Sequence, residues 1–244
     1  MIRVAAVGDV HLDQALSGKL RPLLADLPDQ ADVLLLAGDL TRHGTVDEAK
    51  VVAEEFAELG VPVVAVLGNH DYHSDQQDAV RATLEDCGIT VLEGETAELQ
   101  IHGWRLGVAG VKGFGLGFAG RCGSDFGEPE MKAFVRHGTQ AADDLSKALT
   151  AIAACRPHVT VALMHYSPVE DTLAGEPPQI WPFLGSYLLA EAIDCAGADL
   201  AIHGHAHAGV EKGLTAAGVR VRNVAQPVIR RPYAVYCLDA DAPA

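Results

Sequence analysis

Seven side chains able to ligate a metal stand just past the ends of five apolar runs: Asp9 with His11, Asp39, Asn69, His165, and His205 with His207. The set mixes carboxylate, amide and imidazole and contains no thiolate. Such donors suit manganese, iron or zinc better than a structural zinc site built on cysteines does. Asp9 and His11 are two residues apart, as are His205 and His207, and side chains two apart on an extended chain point the same way. Each signal alone has an ordinary reading. Gly38-Asp39 is common turn chemistry, and a single histidine on an apolar strand is more often a hydrogen-bonded core residue than a ligand. Coincidence explains the whole set poorly, because every one of the five exits carries a competent donor. The chemistry indicated is a pair of metal ions sharing ligands.

The elements that must position these donors are legible as hydrophobic patterns. Residues 4–7, Val33–Ala37, 62–67, Val159–Met164 and 199–202 are short continuous apolar stretches, as expected of strands covered on both faces. Helical faces recur between them at Ala49, Val52, Ala53, Phe56 and Leu59, at Val80, Leu84 and Cys87, and at Leu145, Ala148, Leu149 and Ile152. Thr45 and Glu48 have capping-box spacing, and Gly60, Gly88 and Gly197 stand where helices stop. Alternating strand and helix implies a largely parallel sheet, and ligands of such sheets gather outside the carboxyl ends of the strands. All seven donors are expected there.

The 244 residues fit one domain, 1–244, with ample length to bury a core. Eighteen basic and 33 acidic residues leave a net charge of −15, which opposes tight binding of long polyanions. Nucleic acid is therefore disfavoured as a partner. A small phosphorylated substrate is compatible, because bound cations reverse the local field. No apolar run approaches the length of a bilayer crossing, and the first strand begins at Ile2 with no leader-like segment, so no membrane association and a cytoplasmic location are expected. The five cysteines are scattered without a Cys-x-x-Cys pair and are expected to be core thiols. Residues 239–244 read as a loose tail.

The order and spacing of these motifs resemble the calcineurin-like metallophosphoesterase family. Its pattern of Asp-x-His, Gly-Asp, Gly-Asn-His-Asp, a lone His and Gly-His-x-His reads here as Asp9-Val10-His11, Gly38-Asp39, Gly68-Asn69-His70-Asp71, His165 and Gly204-His205-Ala206-His207. The resemblance runs from Ile2 to about Leu238. It implies a four-layer αββα sandwich, two mixed β-sheets flanked by helices. It also implies two divalent or trivalent ions (Mn, Fe or Zn), one held by Asp9, His11, Asp39 and His207, the other by Asp39, Asn69, His165 and His205. Ions about 3.5–4 Å apart can share a hydroxide and hold a phosphoryl group for in-line attack. By the same resemblance His70 lies near the leaving group, protonating it or stabilising its charge. Asp71 either orients His70 or is a turn or helix-cap carboxylate.

The implied activity is hydrolysis of a small phosphodiester or phosphomonoester, with cyclic nucleotides or nucleotide derivatives the favoured group. A nuclease of the same superfamily is opposed by the acidic balance. A catalytically silent scaffold is opposed by the completeness of the donor set. One departure stands out: protein Ser/Thr phosphatases carry an Asp three residues after the Gly-Asp pair, where this chain has Arg42. Arg42 and His43 could face substrate phosphate or stand solvated. His203 is either a support behind the donors or a satisfied strand-end imidazole. Two irregular stretches are candidates for recognition. Residues 112–130 hold six glycines with Phe114, Phe118, Arg121 and Phe126, and residues 167–183 hold Pro168, Pro177, Pro178, Trp181 and Pro182. The second could stack on a base or form a homodimer contact.

Overall fold

A computed structural model describes residues 1–239, so the expected tail lies, from residue 240 on, outside the described residues. In chain order the strands are β1 (Ile2–Val7), β2 (Val33–Ala37), β3 (Val63–Val66), β4 (Thr90–Val91), β5 (Glu95–Ile101), β6 (Trp104–Val111), β7 (Gly117–Phe118), β8 (Arg121–Cys122), β9 (Val159–Met164), β10 (Leu200–His203), β11 (Lys212–Leu214), β12 (Arg220–Asn223) and β13 (Ala234–Leu238). The helices are α1 (Leu27–Gln30), α2 (Val46–Phe56), α3 (Gln77–Asp86), α4 (Pro129–Ala154), α5 (Trp181–Leu184), α6 (Tyr187–Ala196) and α7 (Gln226–Ile229).

Two large sheets result, ordered β13-β1-β2-β3-β4 and β11-β12-β10-β9-β6-β5. Strands β1 to β4 run parallel, as do β12, β10, β9 and β6, while β13, β11 and β5 add antiparallel edges. The continuous apolar runs are explained by burial on both faces. Val4, Ala6, Leu35 and Val64 meet Val108, Val161, Leu163 and Ile202 between the sheets. Ala5, Val7, Leu34, Leu36 and Ala65 pack outward with residues of α2 and α3, and Ala109, Ala162, Met164 and Ala201 with residues of α4 and α6. The layers are thus helix, sheet, sheet, helix, the sandwich implied by the family resemblance. The simpler expectation of one largely parallel sheet is corrected to two mixed ones.

Several local expectations also change. α2 ends at Phe56, so Leu59 lies beyond it, and Cys87 is the C-cap of α3 rather than part of its buried face. The stretch 112–130 is not one long loop, since it contains the β7–β8 ribbon and α4 starts at Pro129. The five cysteines are all exposed rather than core thiols. Cys87 and Cys155 cap helices and Cys122 lies in the ribbon, outside the packed layers. Among the described residues, no helix is long and apolar enough to cross a membrane.

The amino-end edge of the sandwich is held by an ionic clamp. Asp32, just before β2, accepts from the Arg3 backbone N–H at 2.7 Å and from its Nη2 at 2.7 Å, and His102 Nε2 lies 3.2 Å away. His102 sits in the β5–β6 turn, so the clamp joins the two sheets. Burial pushes the Asp32 carboxyl up, but the Arg3 hydrogen bonds and charge hold it below the usual value.

Candidate metal centre

The donors occupy the opposite end. Asp9 and His11 follow β1, Asp39 follows β2, Asn69 follows β3, His165 follows β9, and His205 and His207 follow β10. Asp9, His11, Asp39 and His205 adopt positive φ (57°, 43°, 51° and 66°), a left-handed backbone that is costly for residues with a Cβ and characteristic of functional sites. Asp9 and His11 therefore do not share the face of an extended segment. Their side chains converge because the chain turns, held by Asp9 N–H to the Gly38 carbonyl at 2.9 Å and His11 N–H to the Asp39 carbonyl at 3.0 Å. The motif glycines are explained by close approach. A Cβ on Gly68 would collide with the Asp39 carboxylate, and one on Gly204 with the Asp9 carboxylate.

Ligand atoms of Asp9, His11, Asp39 and His207 lie within 4.8 Å of one another, as do those of Asp39, His165 and His205. Asp39 belongs to both groups. Asn69 Oδ1, 3.0 Å from His165 Nε2, joins the second. In that group His165 Nδ1 donates to the Ala37 carbonyl at 2.9 Å, which fixes the ring proton on Nδ1. Burial pushes the His165 imidazole down to about 4, so it is neutral at physiological pH and Nε2 carries a lone pair. That lone pair faces Asp39 Oδ1 at 3.3 Å and Asn69 Oδ1 at 3.0 Å. Three electron-rich atoms pointed at one another repel unless a cation lies among them, so the residues present fit a metal ion.

The other imidazoles are oriented similarly. His205 Nε2 donates to the Phe183 carbonyl at 3.2 Å, leaving Nδ1 as its free ligand atom, and burial with the nearby His165 holds this ring well below the usual histidine value. His11 is lowered to about 4 by burial against the pull of Asp39. His207 is raised, because its Nε2 is hydrogen-bonded to Asp9 Oδ1 at 2.7 Å. Asp39 is raised by burial, which the neighbouring histidines only partly offset.

The remaining site residues fall in three places. His70 borders the donors, its ring centroid 4.5 Å from that of His11 and its Nε2 4.0 Å from Asp39 Oδ2. What orients it is not Asp71 but the Arg42 backbone carbonyl, 2.8 Å from Nδ1. Asp71 is fully buried and accepts from Leu40 N–H (3.2 Å), Thr41 N–H (2.8 Å), Thr41 Oγ1 (2.6 Å) and Gly68 N–H (2.7 Å). It is therefore neither a helix cap nor a partner of His70, but a staple between the β2 and β3 exits. Burial and the Asp39 charge push its carboxyl up to about 6. Arg42 and His43 are committed elsewhere, Arg42 to Asp13 Oδ2 at 2.9 Å and His43 Nδ1 to Glu48 Oε1 at 2.7 Å. The Glu48 carboxylate that a capping box would aim at Thr45 thus serves His43, although Thr45 Oγ1 does accept from Glu48 N–H. His203 is buried behind the donors, bonded through Nε2 to Thr172 Oγ1 at 2.9 Å. The carbonyls of Ala37, Phe183 and Arg42 escaped sequence reasoning, because every residue carries one and only the fold selects which matter.

Two donor groups sharing one carboxylate at the carboxyl ends of a four-layer sandwich define the class, a two-sheet fold with a candidate two-ion site. Residues 2–209 match the calcineurin-like phosphoesterase family, and the chain belongs to it. A probable cyclic nucleotide phosphodiesterase of Synechococcus sp. is 31% identical over 115 residues, 43% of this chain and 42% of that protein. The chain's matches span less than half the length of the curated relatives. Among solved structures, the TT1561 protein of Thermus thermophilus superposes with a TM-score of 0.61 at 20% identity, covering 91% of this chain and 88% of that one. A phosphopantetheinyl hydrolase from Mycobacterium tuberculosis gives 0.62 at 16% identity, covering 99% and 98%. These likenesses concern the fold.

Proposed function

We propose that the protein is a dinuclear metal-dependent hydrolase of a small phosphodiester or phosphomonoester, with a cyclic nucleotide or nucleotide derivative the favoured substrate. In this reading Asp9, His11, Asp39 and His207 hold one ion, and Asp39, Asn69, His165 and His205 hold the other. A pair of manganese, iron or zinc ions would supply Lewis acidity and a water of lowered pKa at neutral pH. The observation that carries the reading is His165 Nε2, on a ring whose Nδ1–H is held by the Ala37 carbonyl, facing Asp39 Oδ1 at 3.3 Å and Asn69 Oδ1 at 3.0 Å. The relative named as a cyclic nucleotide phosphodiesterase favours the substrate class.

The chain's own residues have distinct tasks. The Arg42 carbonyl occupies the Nδ1 proton of His70, so a second ring proton, when present, sits on Nε2, the nitrogen turned toward Asp39. From there it can pass to a departing oxygen. Asp71 keeps the Asp39 and Asn69 turns in register by accepting from Thr41 and Gly68. The net charge of −15 keeps long polyanions away and supports a small substrate over a nuclease role.

The test is metal analysis of purified protein together with hydrolysis of bis(p-nitrophenyl) phosphate in added manganese. Two ions per chain and manganese-dependent turnover are expected. Absence of both would return the chain to the scaffold alternative.

A further inference from the structure

Four aromatic rings form a continuous wall that begins at the metal-site residue His205. The Tyr166 ring centroid lies 4.4 Å from that of His205, Phe114 5.8 Å from Tyr166, Phe134 5.1 Å from Phe114, and Phe183 6.1 Å from Phe134. The chain of rings closes on its origin, because the Phe183 carbonyl accepts from His205 Nε2. Tyr166 and Phe114 belong to the packing beneath the second sheet. Phe134 and Phe183 enter none of the buried hydrophobic clusters of the described residues, and Phe183 is 60% exposed. An apolar ring left in water gains little for folding.

The backbone that projects Phe183 is firmly seated. Gly115 packs so closely on Pro182 and Phe183 that a Cβ there would stand 2.6 Å from the Pro182 carbonyl oxygen. Leu116 and Gly117 N–H groups both donate to the Gly185 carbonyl at 2.9 Å. Leu184, next in sequence, packs with Phe118, Leu173 and Ala206, and Ala206 is the residue between His205 and His207. The backbone that carries the ring is therefore fixed relative to His205, which limits the ordering a contact there would need.

We propose that this wall is the subsite for a planar aromatic part of the substrate, a nucleobase carried by the phosphoester, stacked on the exposed ring of Phe183 beside Phe134, whose plane stands 72° from it. Stacking on ring faces tolerates any base, since each has a π-face, and it needs no dedicated hydrogen-bond donors. The inference rests on the phosphoester reading above and names the substrate group that the site selects. Phe183 is the specificity residue, and its side chain is separable from its backbone duty toward His205.

Phe183→Ala removes the ring and keeps the carbonyl, while Phe183→Trp enlarges the ring. For manganese-loaded protein, calorimetry would compare adenosine 5′-monophosphate with ribose 5-phosphate, which lacks the base. Wild type is expected to bind the nucleotide more tightly than the sugar phosphate. Phe183→Ala should weaken the nucleotide about tenfold, within the range of base–aromatic stacking, and leave the sugar phosphate and the metal content unchanged. Phe183→Trp should keep or improve nucleotide binding. Equal affinity of wild type for the two ligands, or equal weakening of both in Phe183→Ala, overturns the proposal. So does a change of oligomeric mass alone, which would assign the ring to a contact between copies. Failure of the hydrolase reading looks different: the loaded wild type turns over no phosphoester while the preference for nucleotide over sugar phosphate persists.

Discussion

His165, at the exit of β9 in the second sheet, donates its Nδ1–H to the carbonyl of Ala37, the last residue of β2 in the first, across 2.9 Å. One hydrogen bond thus ties the inter-sheet packing to the tautomer of a histidine in the candidate metal site. His165→Ala is expected to leave one ion per chain in place of two, read by elemental analysis after dialysis. Retention of two ions would remove His165 from the second group.

Asp39 is the carboxylate common to both groups. Asp39→Ala should lose both ions and all turnover of an aryl phosphodiester while the far-ultraviolet circular dichroism is kept. Full activity in this variant would refute the shared-ligand assignment.

His70→Ala should keep both ions, because its ring stands beside the donors rather than among them. The rate constant kcat is expected to fall by about 10²–10⁴, the usual contribution of a positioned proton donor. The loss should be steeper for an alkyl than for a p-nitrophenyl leaving group, since the alkoxide needs the proton more. An equal loss for both would contradict a role for His70 at the leaving group.

Asp71→Ala leaves the N–H groups of Leu40, Thr41 and Gly68 buried without their acceptor. Unpaired buried donors cost about 1–3 kcal/mol each, so a loss of at least about 3 kcal/mol is expected in urea unfolding. A loss under about 1 kcal/mol would contradict the stapling role.

Asp32 gives the acid dependence. Its folded value lies below the ordinary 3.8. The stability it contributes is therefore present above the unfolded pKa and is lost as pH falls through the depressed folded value. Asp32→Asn should lower the unfolding free energy at pH 7, modestly because solvent screens the Arg3 side of the pair. The variant should also unfold less steeply with acid below pH 4 than the wild type. Parallel acid limbs for the two proteins would show that the clamp does not titrate.

Strands buried on both faces are legible because every residue must be apolar, which is why β2 and β9 coincide with the residues expected. β5 escaped because it alternates exposed and half-buried residues around Glu95, Glu98 and Gln100. The signal that could have found it is the two-residue turn His102-Gly103, both at positive φ, which selects a tight hairpin. The donor residues themselves were legible by type and order. Their convergence through left-handed turns was not, since Asp and His tolerate that conformation without requiring it. Of the two readings of Asp71, the contact with His70 suggested by sequence proximity is absent, and the turn carboxylate is the one that agrees with its hydrogen bonds.

Asp9, His11, Asp39 and Asn69 come from one sheet, whereas His165, His205 and His207 come from the other. Any cation bound among them is also a rivet through the lip of the sandwich, opposite the Arg3–Asp32–His102 clamp. Binding to the native state alone raises its stability by mass action. Protein stripped of such a cation would then lose that stabilisation, with the lip between the sheets the part it no longer joins.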